Sequence, residues 1–239
     1  VSRTLRAWGE SESGRAERLA GRVAVLDGTG NPTLAYLASG IEGIKIRLTA
    51  KGASTAEAEA LLAEEEAEVR AILGDLVFGV DDETMEHAVL ALLRERGLTL
   101  GVAESLTGGM IGTRICDVPG ASDVFRGSIV AYASDVKHDV LGVPEGPVVS
   151  ADAASAMAAG ARRVLGTDVG VAVTGVAGPD RQEGQDVGTV FVGLDLGPLG
   201  GDVGPEAFEV QLAGNRRQIR QFSVITALSA LRARILALA

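Results

Sequence analysis

The sequence predicts an α/β protein in which a C-terminal three-layer α/β/α domain with a mixed sheet follows a small α+β module. From residue 98 onward, apolar strand-like segments alternate with helical segments, as is typical of layered α/β domains. Residues 1–80 instead combine three strand-like segments with two helices. The 239 residues suffice for two domains, and no repeat or low-complexity linker interrupts them. We therefore expect domains at residues 1–80 and 81–239.

The composition excludes several classes of protein. Hydrophobic residues make up 46% of the chain, but no apolar run reaches the roughly 18 residues of a membrane span. The first residues lack the layout of a signal peptide, and a single cysteine suits a reducing compartment, so we expect a cytoplasmic protein. A net charge of −10 repels phosphate backbones, which makes nucleic acid a poor partner. Two histidines and one cysteine cannot furnish an ordinary zinc site.

The N-terminal module shows strand alternation and helix-start signals. Its predicted elements are, in order, strand 3–9, helix 13–26, strands 33–39 and 43–50, and helix 54–73. Gly-Ile-Glu-Gly at 40–43 matches the GXXG of RNA-binding KH modules, whose loop clamps a phosphate backbone. Glu42 opposes such a contact, and the segment joins two strands rather than two helices. A tight turn is therefore the favoured interpretation.

The second domain begins with a helix whose N-terminus carries acids at 81–83. Its further predicted elements are, in order, strand 98–104, helix 107–116, strand 124–132, helices 134–141 and 150–165, strands 168–174, 187–196 and 206–211, and helix 215–237. The long apolar C-terminal helix could pack in an interface, and we expect a homo-oligomer.

Three polar clusters follow strands of this domain. They are Glu104 and Ser105 with Thr107, Gly108 and Gly109; Tyr132 with Lys137; and Thr174 with Gly175. Ligands of α/β sheets bind beyond the carboxyl ends of the strands. We therefore predict one shared pocket formed by all three clusters.

The available nucleophile systems are few. A Ser-His-Asp triad needs a histidine, and neither His87 nor His138 is persuasively placed. The segment 103–107 also lacks the glycines of the hydrolase nucleophile elbow. What remains is Ser105 activated by Lys137, either directly or through Tyr132.

A lysine base must be neutral, so burial has to lower its pKa from ~10.4 towards 7–8, about 4 kcal/mol of differential environment. When Ser105 attacks a substrate carbonyl, the oxyanion that develops on the substrate would face N–H groups near Gly108 and Gly109. Taken singly, each residue also has a structural interpretation. Ser105 is a good helix N-cap, Tyr132 a core residue, Lys137 a surface residue and Glu104 an anchoring group or a stray strand-end charge. Thr174 and Gly175 also fit a simple turn.

Together, these motifs resemble one family. They are Ala-Glu-Ser-Leu-Thr-Gly-Gly at 103–109, Asp-Val-Pro-Gly-Ala-Ser at 117–122, Tyr132 with Lys137, Leu-Gly-Val at 141–143, Ala-Val-Thr-Gly-Val-Ala-Gly-Pro at 172–179 and Val-Gly-Thr-Val at 187–190. The pattern is similar to the C-terminal domain of the CinA, or competence/damage-inducible, proteins, which is a nicotinamide-nucleotide amidase module. Residues 1–80 resemble the KH-like middle module of the same family. The family's N-terminal molybdopterin-binding-like domain has no counterpart here, so we expect a fragment or a short form.

The resemblance implies an amidohydrolase that converts nicotinamide mononucleotide to nicotinic acid mononucleotide and ammonia, in pyridine nucleotide salvage, without a cofactor or metal. It implies Ser105 as the nucleophile and Lys137 with Tyr132 as the activating pair. The substrate and oxyanion region would include Glu104, Thr107, Gly108, Gly109, Thr174 and Gly175. Arg216, in a stretch similar to the family's Gly-Asp-Arg helix start, is the candidate for the phosphate.

Two features depart from the family pattern. Leu106 stands where a cysteine is usual, and the loop 180–186 replaces a glycine-rich stretch that usually ends in Lys-Pro. If the loop closes over the substrate, we expect substrate affinity or specificity to differ from those of the family. The alternative function is a nucleotide-binding or scaffold module in competence or the DNA-damage response, without hydrolysis.

Overall fold

A computed structural model describes residues 1–38 and 40–238. The chain divides into two compact units, Val1–Ala88 and Val89–Ala239. The division falls within a helix, α3 (Met85–Arg96), several residues after the predicted boundary at 80. The expected fold class is confirmed, because a small sheet module precedes a mixed sheet with helices.

The first unit is an antiparallel four-stranded sheet with two helices. Its elements are β1 (Ser2–Ala7), α1 (Glu12–Thr29), β2 (Thr33–Ala38), β3 (Ile44–Thr49), α2 (Thr55–Leu73) and β4 (Val77–Val80). The strand order is β2-β3-β1-β4. Ser11 and Ser54 cap the two helices with their hydroxyl groups. Buried apolar side chains of sheet and helices, including Leu5, Ile46 and Leu62, form the core. Ser39, which the sequence assigns to the second strand, lies outside the described residues.

A tight turn joins β2 and β3, as the sequence predicts for residues 40–43. Glu42 forms ion pairs with Arg6 at 3.2 Å and with Lys45 at 3.0 Å. Gly43 has a φ of 81°, and a Cβ atom there would lie 2.5 Å from the carbonyl oxygen of Ala7. Glycine is therefore required for the close approach of this turn to β1.

The second unit contains a mixed five-stranded sheet. After α3 come β5 (Leu100–Glu104), α4 (Met110–Cys116), β6 (Phe125–Val130), α5 (Ser134–Leu141), α6 (Ala151–Leu165), β7 (Val169–Gly175), β8 (Thr189–Asp195), β9 (Glu206–Gln211) and α7 (Arg216–Leu236). The strand order is β6-β5-β7-β8-β9. β5 pairs in parallel with β6 and β7, whereas β7–β8 and β8–β9 are antiparallel. The carboxyl ends of β5, β6 and β7 therefore meet at one edge of the sheet.

Helices cover both faces of this sheet. Ala103 and Ala172 pack with α6 in one apolar cluster, and α5 packs beside α6. Successive strand residues point to opposite faces, so Glu104 points away from α6, towards α4. The approach of α6 is close, because a Cβ atom at Gly193 would lie 2.0 Å from the carbonyl oxygen of Ala154. Glycine in β8 therefore permits the helix–sheet packing.

The start of α4 differs from the predicted start at residue 107. The helix begins at Met110, after Gly108 and Gly109, whose φ angles are 59° and 92°. These are left-handed conformations, which end or precede a right-handed helix rather than form part of it. A turn therefore separates Ser105 from the helix.

The apolar residues of α7 are buried within its own unit. They include Ile219, Val224, Leu228 and Leu231, and the helix packs on β7, β8 and α4. Packing within the chain thus accounts for the apolar residues of α7, which no longer support an interface. The homo-oligomer stays a prediction. Within the part of the chain that the structure describes, no helix is both long and apolar enough to cross a membrane.

Candidate active site

Ser105 is the first residue after β5. Its N–H donates to the carbonyl of Val173 at 3.0 Å, and its own carbonyl accepts the N–H of Gly108 at 3.0 Å. Its hydroxyl forms no hydrogen bond with any described residue, and the N-cap of α4 is Gly109. The N-cap interpretation of Ser105 is therefore wrong. The backbone is fixed, while the side-chain oxygen stays available to a ligand.

Glu104 accepts hydrogen bonds from backbone N–H groups at the N-terminus of α4. Its fully buried carboxylate accepts the N–H groups of Gly109, Ile111 and Gly112 at 2.9–3.0 Å, and the hydroxyl of Ser128 at 2.7 Å. Orphan N–H groups at a helix start favour an anionic acceptor. Glu104 is thus the anchoring group of this turn, one of the two structural interpretations of the sequence.

The backbone donors near Ser105 differ from those expected. The N–H of Gly108 bonds to Ser105 and that of Gly109 bonds to Glu104, so neither is free to face an oxyanion. By contrast, the N–H groups of Leu106 and Thr107 donate to no described residue. The unbonded donors therefore lie two residues earlier in the turn than the sequence indicated, and of these two residues only Leu106 lines the candidate cleft described below.

Arg220 of α7 fixes the peptide groups of this turn. Its guanidinium donates to the carbonyls of Leu106 and Thr107, both at 2.8 Å. The N–H and C=O of one peptide unit point in opposite directions, so holding the Leu106 carbonyl also orients the Thr107 N–H. Sequence reasoning missed Arg220. Its spacing of four residues from Arg216, on one face of α7, is the signal that could have found it.

Lys137 lies in α5, and its side chain is only 2% exposed. Its amine donates to the carbonyl of Tyr132 at 3.1 Å. Burial lowers the pKa of Lys137, because removal from water disfavours the charged form, while the negative charges of Glu183 and Asp135 partly oppose this. The surface interpretation of Lys137 is wrong, and its environment favours the neutral amine that a general base requires.

Tyr132 lies two residues beyond β6 and is 58% exposed, which excludes the core interpretation. Its hydroxyl accepts a hydrogen bond from Arg216 at 2.8 Å, and Arg216 also donates to the carbonyl of Gly178. Tyr132 thus contacts Lys137 through its backbone carbonyl and Arg216 through its phenol. The hydrogen bonds described do not form a relay from Ser105 through the Tyr132 hydroxyl to Lys137.

A cleft of about 340 Å³ brings several of these residues together. Six of the site residues that the sequence predicts line it, namely Ser105, Tyr132, Lys137, Thr174, Gly175 and Arg216. The remaining four do not line it, namely Glu104, Thr107, Gly108 and Gly109. Thr174 is buried and donates its hydroxyl to the carbonyl of Val148 at 2.7 Å, so it supports the wall of the cleft.

The β7–β8 loop supplies a wall of the cleft. The sequence connected this loop with substrate affinity but indicated no site residue in it. Asp180, Arg181 and Gln182 all line the cleft. A larger open groove of about 940 Å³ lies elsewhere, beside Arg162 and Asp195, and contains none of the candidate residues. Among residues 1–38 and 40–238, no three His, Cys, Asp or Glu side chains are grouped as metal ligands.

The two units match two known domain families. Residues 82–235 match the CinA C-terminal domain, and residues 2–79 match the KH domain of damage-inducible protein CinA. A CinA-like protein from Frankia casuarinae is 47% identical over 237 residues, which cover 97% of this chain and 53% of that protein. A CinA-like protein from Synechococcus is 50% identical over 184 residues, which cover 74% of this chain and 43% of that protein. The chain thus spans about half the length of these relatives.

Solved structures share the fold. A CinA superfamily protein from Klebsiella pneumoniae superposes with a TM-score of 0.60 at 25% identity, over 64% of this chain and 96% of that one. The competence/damage inducible protein CihA from Agrobacterium tumefaciens superposes with a TM-score of 0.57 at 30% identity, over 64% and 93%. Because the family matches extend over both units, the chain belongs to the CinA family and contains its KH and C-terminal domains.

Proposed function

We propose that the chain hydrolyses the carboxamide of nicotinamide mononucleotide, releasing ammonia and nicotinic acid mononucleotide, as a cytoplasmic step of pyridine nucleotide salvage. One observation carries the proposal. An unbonded Ser105 hydroxyl lines the same cleft as the buried amine of Lys137, whose pKa is lowered. Amide hydrolysis requires a nucleophile and a base that can accept its proton, and a lowered pKa favours the neutral form of the lysine.

The reaction follows in two halves. Ser105 Oγ attacks the amide carbon as Lys137 takes its proton, and the carbonyl oxygen becomes an oxyanion. The N–H group of Leu106, which lines the cleft and donates to no described residue, is the donor available for that charge. The Lys137 ammonium then protonates the departing nitrogen, so ammonia leaves and an acyl-serine remains. Water, deprotonated by the same amine, hydrolyses the ester, releases the carboxylate and restores Ser105.

The cleft also contains two cationic side chains that favour an anion. Arg181 and Arg216 both line it, and guanidinium groups bind phosphate through paired hydrogen bonds. A mononucleotide carries its phosphate at the end opposite to the carboxamide. The proposed orientation therefore places the amide near Ser105 and the phosphate near the two arginines.

Ammonia release tests the proposal directly. The wild-type chain is incubated with nicotinamide mononucleotide, nicotinamide riboside or nicotinamide, and ammonia is measured by a coupled enzymatic assay. We expect release from the mononucleotide, weaker release from the two compounds without phosphate, and none with Ser105→Ala. Ser155→Ala is the matched control, since that serine lies outside the cleft and bonds to Pro205.

The same assay separates hydrolysis from a binding or scaffold role. Calorimetric titration with nicotinamide mononucleotide is run beside it. Binding without any ammonia release would overturn the amidase and favour a nucleotide-binding module. Faster release from a different amide would retain the Ser105 chemistry and change the substrate.

A further inference from the structure

The β7–β8 loop contains a tight turn with an unusual residue. Gln182 and Gln185 exchange both backbone hydrogen bonds, at 3.2 Å and 2.9 Å. The two residues between them, Glu183 and Gly184, have φ angles of 52° and 82°. Turns with two left-handed central residues favour Asn-Gly or Asp-Gly, and a long side chain is disfavoured at the first position. Glu183 therefore opposes the local preference of the turn.

Glu183 makes a long-range contact that a shorter side chain would not reach. Its carboxylate accepts the N–H of Val149 at 2.8 Å, from a residue 34 positions away in the chain. Val148 and Val149 line the cleft, and Ser150, which follows, caps α6. The contact thus attaches the tip of the loop to another wall of the same cleft.

The attachment holds a cationic side chain at the cleft. Arg181, two residues before Glu183, donates to the carbonyl of Gly184 at 2.9 Å and forms an ion pair with Asp186 at 2.8 Å. These bonds lie within the loop, so they shape it without fixing it to the rest of the unit. Arg216 holds the loop near its start at Gly178, and Gln211 holds it near its end at Val187. The bond from Glu183 to Val149 instead fixes its tip.

We propose that Glu183 is a positioning residue that fixes the β7–β8 loop against the 148–149 segment and so determines the affinity of the cleft for a phosphorylated substrate. This inference rests on the proposed function, because it assigns the loop to the phosphate-bearing part of the mononucleotide. Glu183 itself does not line the cleft and touches no reacting group in this arrangement.

The charge of Glu183 gives a second readout. Lys137 is influenced by carboxylates on two elements, Asp135 on its own helix and Glu183 on the loop. Asp180, Arg181 and Arg216 are the other charged groups that line the cleft. Removal of the Glu183 charge removes an effect that raises the pKa of Lys137. The neutral amine then forms at lower pH, so the acid limb of kcat/KM moves to lower pH.

The test compares Glu183→Asn, which suits the turn but cannot reach Val149, with Glu183→Gln, which keeps the length and loses the charge. For Glu183→Asn we expect KM for nicotinamide mononucleotide to rise about tenfold, the effect of one charge-assisted hydrogen bond, with kcat within about twofold. KM for nicotinamide riboside should change little. For Glu183→Gln we expect a smaller rise in KM. In both variants the acid limb should move to lower pH, because both lose the charge. Glu209→Gln, an exposed acid on β9, is the matched control.

The outcomes distinguish the inference from the function on which it rests. An unchanged KM in Glu183→Asn, with wild-type hydrogen exchange in the 180–186 loop, overturns the role of Glu183. A loss of kcat alone in that variant also overturns it. If the wild-type chain releases no ammonia, the proposed function fails, and calorimetric affinity for nicotinamide mononucleotide in the same variants still tests the loop. If Glu183→Asn does not fold by circular dichroism, Glu183→Gln provides the comparison.

Discussion

Replacement of Glu104 by glutamine tests how the turn that carries Ser105 is held. The buried carboxylate accepts the N–H groups of Gly109, Ile111 and Gly112 and the hydroxyl of Ser128, and it donates to none of them. Glutamine has almost the same shape but only one acceptor oxygen. We expect Glu104→Gln to loosen α4 and, with it, the turn 105–109.

The free-energy cost of Glu104→Gln can be worked out from the four donors that bond to the carboxylate. The single oxygen of glutamine can still accept from Gly109 and Ile111, and Ser128 can rotate its hydroxyl to accept from the new amide. The N–H of Gly112 then faces another donor, and one unsatisfied buried N–H costs about 1–3 kcal/mol. The loss of charge weakens the two remaining bonds by about 1 kcal/mol in total. The sum is about 2–4 kcal/mol, or roughly 30- to 1,000-fold in an opening equilibrium.

Hydrogen exchange of the amides of α4 (Met110–Cys116) measures that opening. Exchange should accelerate in Glu104→Gln by the factor above, while amides of β1 and β3 in the first unit keep their rates. Ser128→Ala is the graded control, since it removes one of the four donors and should accelerate exchange by only about tenfold. Exchange in Glu104→Gln within about threefold of the wild type would refute the anchoring role of Glu104.

Four further expectations follow from the structure. The acid limb of kcat/KM should fall below the ordinary pKa range of lysine, and Lys137→Arg should be inactive at every pH because a guanidinium stays protonated. Arg220→Lys should lower kcat by about tenfold with little change in KM, because one of two carbonyl bonds that orient the turn is lost. Gly193→Ala should lower the free energy of unfolding by about 3 kcal/mol in urea titrations, since its Cβ would meet the backbone of α6. Hydrogen bonds from Thr99 hold the pKa of Asp168 below its usual value, so the stability gap between wild type and Thr99→Val, measured by thermal unfolding, should be present at pH 7 and shrink as the pH falls towards 3.

The alternation of elements after residue 98 was sufficient to predict the architecture of the second unit. Most of its strands and helices lie within two residues of their predicted bounds, because apolar periodicity and caps are local signals. The start of α4 was misplaced because Gly108 and Gly109 adopt left-handed conformations, which the residue type permits but does not require.

The sequence predicted which residues follow the strand ends and share a pocket, but not the hydrogen bonds between them. The sequence grouped Ser105, Tyr132 and Lys137, and the structure places all three on one cleft. It did not indicate that Glu104 would occupy the helix N-terminus, or that the Tyr132 hydroxyl would face Arg216. The contact between Tyr132 and Arg216 joins residues 84 positions apart. The contacts of Glu104 with the helix start are local, but they depend on the left-handed turn at Gly108 and Gly109, which the residue types permit and do not require.

The two hydrogen bonds of Arg216 have a consequence for selectivity. Its guanidinium already joins the Tyr132 hydroxyl to the Gly178 carbonyl, two groups that follow different strands. These bonds engage one N–H on each terminal nitrogen of a group with five N–H donors, so three donors remain for a ligand. In the proposed orientation, a phosphate can therefore bind Arg216 while the guanidinium still holds the two segments together. The same side chain would then both shape the cleft and select for an anionic substrate.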